Sequence, residues 1–346
     1  MNKQHSTTRS AVVVLAIAAT ALSGCSSPGT PGATDTSAPA AEEASLDRLT
    51  IVVPTSAGGG VDTAARQLQP YLEDALDATV VVENREGGGT TIGTTHMLSN
   101  ADDCSTIMIT AIPHINLSYL TNEVDFDLSS FAAVGGISVE PGVIRVRNDA
   151  PWQSLSELVE DARSDPGSVS FSVSEPVSAN VLGLHKIEAA AGVDFNIVPY
   201  DGGGPSRLAL ESGEVDATHA GVFNSLGIDE STRVLAVHQE ENRWPEETDD
   251  APTVSEALGV DAGVSESTYN LWTSATCAEE NPDTYQSIVD AVESVVTSDA
   301  LRADLEEVGE QNKLDYREPE RVMSDAEAQE AELLELMAED PDLFTQ

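Results

Sequence analysis

The feature that most constrains this chain is a small unit used three times: an apolar run, a glycine-rich turn, then a segment with helical spacing. Leu49-Thr50-Ile51-Val52-Val53 reads as a buried strand. Pro54-Thr55-Ser56-Ala57-Gly58-Gly59-Gly60 follows it. Apolar residues at Val61, Ala64, Ala65, Leu68, Leu72, Ala75 and Leu76 then recur with the period of a helix. The unit returns at Val80-Val81-Val82 with Gly87-Gly88-Gly89-Thr90-Thr91, and at Ile197-Val198-Pro199-Tyr200 with Gly202-Gly203-Gly204-Pro205-Ser206. Strands alternating with helices require an α/β architecture with a mainly parallel sheet, and such sheets bind ligands in a crevice at their strand ends. Glycine lets backbone and ligand approach closely. The first N–H groups of each helix have no internal partner and sit at the positive end of its dipole. Together the turns read as an anion site that needs no basic side chain. Asp62 is expected to cap the first helix, with Arg66 four residues on as its ion-pair partner.

Nucleotide motifs fail. Gly88 and Gly93 have the spacing of a P-loop, but Thr94 stands where that loop needs lysine. Neither of the first two glycine triplets completes a dinucleotide fingerprint. The formal net charge is −44, and Lys3, Lys186 and Lys313 are the only lysines. Such a surface repels nucleic acid and anionic lipid, and it fits solubility in high salt. An anion site here must therefore rely on local donors. The six histidines show no metal-site spacing, so neither a metal nor a cofactor is expected.

The N-terminus indicates the compartment. Lys3 and Arg9 precede an apolar run, Ala11 to Leu22, too short to span a membrane stably. Leu22-Ser23-Gly24-Cys25 resembles a bacterial lipobox, which makes residues 1–24 a lipoprotein signal peptide and Cys25 the lipidated N-terminus. An ordinary secretory signal with an incidental cysteine is the alternative. Residues 25–45, rich in Ser, Thr, Pro, Ala and Gly, read as a flexible tether. Outside the cytoplasm the two remaining cysteines, Cys104 and Cys277, read as a disulfide, with two unrelated buried thiols as the other possibility.

Further along, Thr106 to Thr110 reads as a strand ending in a polar-tipped turn, Ala111 to Asn116. There His114 either faces the crevice or serves the fold. A second unit opens at the strand Val143 to Val146. Ser154 is a helix cap with Glu157 as its capping-box partner. Val169 to Ser174 alternates as a strand, and Val215 to Ala220 and Arg233 to Val237 add two more. Near Tyr269 to Trp272 the chain returns to its first half, and helices follow over Pro282–Thr297, Asp299–Val308 and Pro319–Ala338.

Taken together, the motifs resemble a known family. Val53-Pro54-Thr55-Ser56-Ala57-Gly58-Gly59-Gly60-Val61-Asp62, with Ala65-Arg66, is similar to the opening motif of the solute-binding proteins of tripartite tricarboxylate transporters, the Bug family. Val81-Val82-Glu83-Asn84-Arg85-Glu86-Gly87-Gly88-Gly89 resembles its second motif, except that Glu86 replaces a usual proline. Val198-Pro199-Tyr200-Asp201-Gly202-Gly203-Gly204-Pro205 resembles the third, where Asp201 replaces a common lysine or arginine. Gly213-Glu214-Val215-Asp216-Ala217 matches the strand after it.

The resemblance implies a two-lobed, type II periplasmic-binding-protein (Venus flytrap) fold. Lobe 1 would comprise residues 46–142 and 263–346, and lobe 2 residues 143–262. It implies a small carboxylate held by main-chain amides and hydroxyls from both lobes. The contacts carried over are Ser56, Ala57, Gly58, Gly59 and Gly60, then Gly89, Thr90, Thr91, Thr110 and His114. Ser174, Ser178, Asn180, Tyr200, Gly202, Gly203 and Gly204 would come from the second lobe. The function implied is an extracytoplasmic, lipid-anchored, monomeric binding protein that serves the membrane permease subunits of a tripartite transporter. A binding protein that presents its ligand to a membrane receptor is the alternative, and a secreted hydrolase a further one. Against the hydrolase, the chain has no G-x-S-x-G elbow and no zinc motif.

Overall fold

The structure is a computed structural model and describes residues 46–176 and 178–339. Cys25, the signal peptide and the tether lie outside the described residues. In chain order the elements are β1 (Arg48–Val53), α1 (Gly60–Leu76), β2 (Thr79–Asn84), α2 (Thr91–Leu98), β3 (Thr106–Ile112), α3 (His114–Leu120) and β4 (Phe131–Arg147). Then come α4 (Leu155–Ser164), β5 (Ser170–Val173), α5 (Ala179–Ala191), β6 (Asn196–Pro199), α6 (Gly203–Ser212), β7 (Ala217–Gly221) and β8 (Thr232–Val237). The chain ends with α7 (Val254–Leu258), β9 (Glu266–Ser274), α8 (Ala275–Glu280), α9 (Pro282–Val296), α10 (Asp299–Glu306), β10 (Leu314–Arg317) and α11 (Pro319–Glu339).

The strands run in the order β2-β1-β3-β9-β4-β7-β5-β6, with β8 and β10 also pairing with β4. The mainly parallel sheet expected from the sequence is confined to the two flanks. β1 pairs parallel with β2 and β3, and β5 pairs parallel with β6 and β7. The middle is antiparallel, because β4 and β9 run against each other and against β3, β7, β8 and β10. The reason lies in β4, a 17-residue strand of which sequence periodicity exposes only the Val143–Val146 end. Its first half pairs with β9 and its second half with β7 and β8. One strand therefore carries the chain out of one half of the molecule into the other, and β9 brings it back.

Each half has its own apolar core. In the first, Leu68 and Leu72 of α1 and Val292 and Val296 of α9 pack on Ile51, Ile107 and Leu271 from β1, β3 and β9. In the second, Leu155, Leu158 and Ala162 of α4 and Leu184 and Ile187 of α5 pack on Phe171, Ala217 and Ala236. Ser154 caps α4, its Oγ accepting from Glu157 N–H at 3.2 Å, while the Glu157 carboxylate binds the N–H of Gln153 rather than that of Ser154. Cys104 and Cys277 are joined by a disulfide with a Cα–Cα distance of 5.1 Å, fully buried in the first core.

Candidate functional site

The β1–α1 turn shows how the sequence shapes the site. Asp62 is not the helix cap expected above. Gly59 occupies that position without a side-chain bond. Asp62 lies one turn in and points back, accepting from Gly58 N–H at 2.8 Å, Asn84 Nδ2 at 2.9 Å and Arg66 Nε at 3.0 Å. Burial opposes the charge, yet the hydrogen bonds from Arg66, Gly58 and Asn84 outweigh it and hold this carboxyl below its usual range. Its negative charge is thus spent on pinning the turn. Gly60 and Val61, in the first turn of α1 whose N–H groups have no partner within the helix, border a cavity instead.

That inner cavity has a volume of about 90 Å³. Gly59 and Gly60 border it on one side, and Gly203, Ser206 and Arg207 of α6 on the other. These last three share a helix face because they are spaced three and four residues apart. The turns come close: a Cβ at Gly202 would lie 3.2 Å from Ser56 Oγ, and one at Gly60 would lie 2.6 Å from Asn224 Oδ1. Ser56, Thr110, His114, Ser174, Asn180 and Gly202, all expected contacts, also line this cavity. An adjoining outer cavity of about 580 Å³ shares Thr55, Ser56, His114 and Glu175 with it, and adds Gly89, Thr90, Tyr200 and Asp201.

Five expected contacts line neither cavity. Ala57 and Gly58 are exposed to solvent on the first turn, and the Gly58 N–H is already held by Asp62. Thr91 Oγ1 donates to Gly88 O at 2.8 Å, closing the second turn on itself. Ser178 is fully buried and caps α5, accepting from Val181 N–H. Gly204 faces away into open space. The second glycine turn therefore borders only the outer cavity. Its glycines are needed for conformation, since Gly87, Gly88 and Gly89 all have positive φ, at 115°, 61° and 58°.

Sequence reasoning missed Arg207. No motif marks it, and the only signal was its position four residues after Gly203. It makes no ion pair within 4.0 Å among the described residues, and burial lowers its pKa while the nearby charge of Glu140 works the other way. It also missed two acidic groups. Glu140, 6% exposed on β4, accepts from Asn224 N–H at 3.0 Å, and burial pushes its pKa up to about 7. Glu175 lines both cavities, and burial followed by Asp201 raises it to about 7 as well. His114 Nε2 lies 3.6 Å from Glu175, and burial lowers this ring to about 4, so near neutral pH it is uncharged. Thr55 Oγ1, Thr90 Oγ1, His114 Nδ1 and His219 Nδ1 are buried without hydrogen-bond partners among the described residues, and all four residues line one or both cavities. Buried polar groups are rarely left unpaired, so this clustering marks a place for a polar ligand.

A family model described as the tripartite tricarboxylate transporter family receptor matches residues 64–338. The chain belongs to this family. It is 30% identical over 175 residues to protein BugT of Bordetella pertussis, covering 49% of this chain and 53% of BugT. The chain spans between about half and just under two thirds of the length of the first curated relatives it matches. Among solved structures it is similar to R. palustris Rpa4515 with adipate, at 25% identity and a TM-score of 0.73, covering 84% of this chain and 96% of that one. It has the fold of MatC from Rhodopseudomonas palustris with bound malate, at 22% identity and a TM-score of 0.70, covering 82% and 97%. The fold is thus the two-lobed periplasmic binding fold of a solute receptor, and no described helix is long and apolar enough to cross a membrane.

Proposed function

We propose that this receptor captures a small carboxylate between its lobes outside the cytoplasm and delivers it to the membrane subunits of a tripartite transporter, without chemical turnover. The lobes in this reading are residues 46–142 with 263–346, and residues 143–262, and the passage of β4 between two apolar cores supports that division. The receptor is held to the membrane as a monomer by lipid on Cys25. The observation that carries the reading is Arg207. An arginine without an ion pair among the described residues, at the border of this cavity in a chain of net charge −44, is a counter-charge waiting for an anion. The first-turn N–H groups of α1 and α6 and the hydroxyls of Ser56, Thr110 and Ser174 supply further donors. The family likeness supports the transport role, and the adipate and malate of the two solved relatives support the ligand class.

Titration calorimetry against a panel of di- and tricarboxylates tests this. At least one should bind, and Arg207→Met should weaken it by roughly 10- to 150-fold, since a charged hydrogen bond contributes about 1.5–3 kcal/mol. A bound carboxylate whose affinity is indifferent to Arg207 would overturn the assignment. Turnover of carboxylate esters would favour a hydrolase instead.

A further inference from the structure

Most groups at the inner cavity donate hydrogen bonds. His219, on β7 and 1% exposed, is different. Its Nε2 lies 3.2 Å from Nδ1 of His238, and Nε2 of His238 lies 3.0 Å from the carbonyl oxygen of Ala262. A carbonyl oxygen only accepts, so His238 carries its proton on Nε2. Burial pushes His238 down to about 4, and burial together with His238 pushes His219 well below its ordinary range, so both rings are neutral near pH 7. A neutral ring protonated on Nε2 has a bare Nδ1. His238 must therefore accept at Nδ1, and His219 must donate from Nε2. That leaves His219 Nδ1 as a bare acceptor, and it has no partner among the described residues.

The arrangement is held in place by backbone. His238 N–H donates to Gly142 O at 2.7 Å, and Ser265 N–H donates to His238 O at 2.9 Å. The His219 ring is wedged against Gly142 and Gly183, where a Cβ would come within 2.6 Å of it. Asn180 Nδ2 is already committed to the His219 carbonyl.

We propose that His219 is a specificity-determining residue: with Nδ1 held as an acceptor by the His219–His238–Ala262 chain, it favours carboxylates that carry a hydroxyl over those that carry none. The proposal rests on the carboxylate reading above and deepens it. Only a ligand with its own donor can satisfy this nitrogen, and a ligand without one leaves it buried and unpaired. Glu175, which lines the same cavity, also accepts when ionised, so the test must separate the two.

Full-length protein would be titrated with three matched pairs: propionate and lactate, succinate and 2-hydroxysuccinate, glutarate and 2-hydroxyglutarate. The hydroxylated member of the pair that fits should bind about tenfold tighter. In His219→Leu the ratio of affinities within that pair should fall to about one, whatever the absolute affinity of either acid. Ring ¹⁵N shifts of the wild-type protein provide a readout independent of any variant, and should report an Nε2–H tautomer with bare Nδ1 for both histidines. Equal affinity within every pair that binds, a hydroxyl preference that survives His219→Leu, or an Nδ1–H tautomer of His219 would each overturn the proposal. Binding of none of these acids, nor of any member of the di- and tricarboxylate panel above, would instead bring down the carboxylate reading, and this inference with it.

Discussion

Gly60 offers a direct test of whether this receptor binds by closing. It is the first residue of α1, and its missing side chain lets the two halves meet. A Cβ there would stand 2.6 Å from Asn224 Oδ1, 2.8 Å from Asn224 Nδ2 and 2.6 Å from the Tyr269 hydroxyl. Asn224 Nδ2 in turn donates to that hydroxyl at 2.9 Å, so the two obstacles brace each other. Overpacking a site this tight costs about 1–3 kcal/mol. Opposing it, alanine is favoured over glycine within a helix by up to about 1 kcal/mol. The two terms act on different states. Asn224 follows β7, across the cleft from α1, so separating the lobes removes it and frees the phenol end of Tyr269 to lean away. The helix gain applies whether the cleft is open or shut. Gly60→Ala should therefore weaken ligand binding by about 5- to 150-fold, the range a 1–3 kcal/mol shift against the closed state produces. The ligand-free protein should melt at the same temperature or slightly higher. Calorimetric titration and a thermal melt without ligand measure both. Unchanged affinity would mean that the lobes need not meet at Gly60. A ligand-free melting point that falls in step with affinity would mean simple damage to α1, and either result would refute the reasoning.

Further expectations concern buried charge and the covalent link. Glu140 has a folded pKa near 7 against an ordinary 4.5, so the folded state holds its proton more tightly. Its contribution to stability is full below pH 4.5 and is lost as pH rises to about 7, by on the order of 3 kcal/mol. Three histidines with lowered pKa act in the opposite direction over part of this window, so the comparison must be with Glu140→Gln. The stability advantage of that variant, from denaturant melts, should grow from pH 4.5 to 7 and then level off; an advantage independent of pH would show that Glu140 titrates normally. The Cys104–Cys277 link spans a sequence separation of 173, and in the chain-entropy view such a closure contributes about 5 kcal/mol. Reduction should lower the denaturation midpoint markedly, and identical oxidised and reduced midpoints would rule out that contribution.

The sequence by itself determined the local grammar of this protein. Apolar runs of three to six residues, glycine turns and helical periodicity located β1, α1, β2, β5 and α6, because those signals arise from neighbours along the chain. The motif order was specific enough to indicate the receptor family and its two-lobed fold. What lay beyond the sequence depends on contacts between distant residues. The first eleven residues of β4, from Phe131 to Pro141, carry glycines and a proline and look like a loop, yet they pair with β9 more than a hundred residues later. Asp62 reads as a cap from its position, but its partners include Asn84, which only the β1–β2 pairing brings near. The equivalence of the three glycine turns also dissolved. All three have the same local chemistry, but only the first and third meet across the inner cavity. Arg207 and His219 carry no local signature at all. An isolated arginine on a helix, or a histidine in a strand, becomes a binding group only when folding removes water and other partners from around it. That cost is set by tertiary burial.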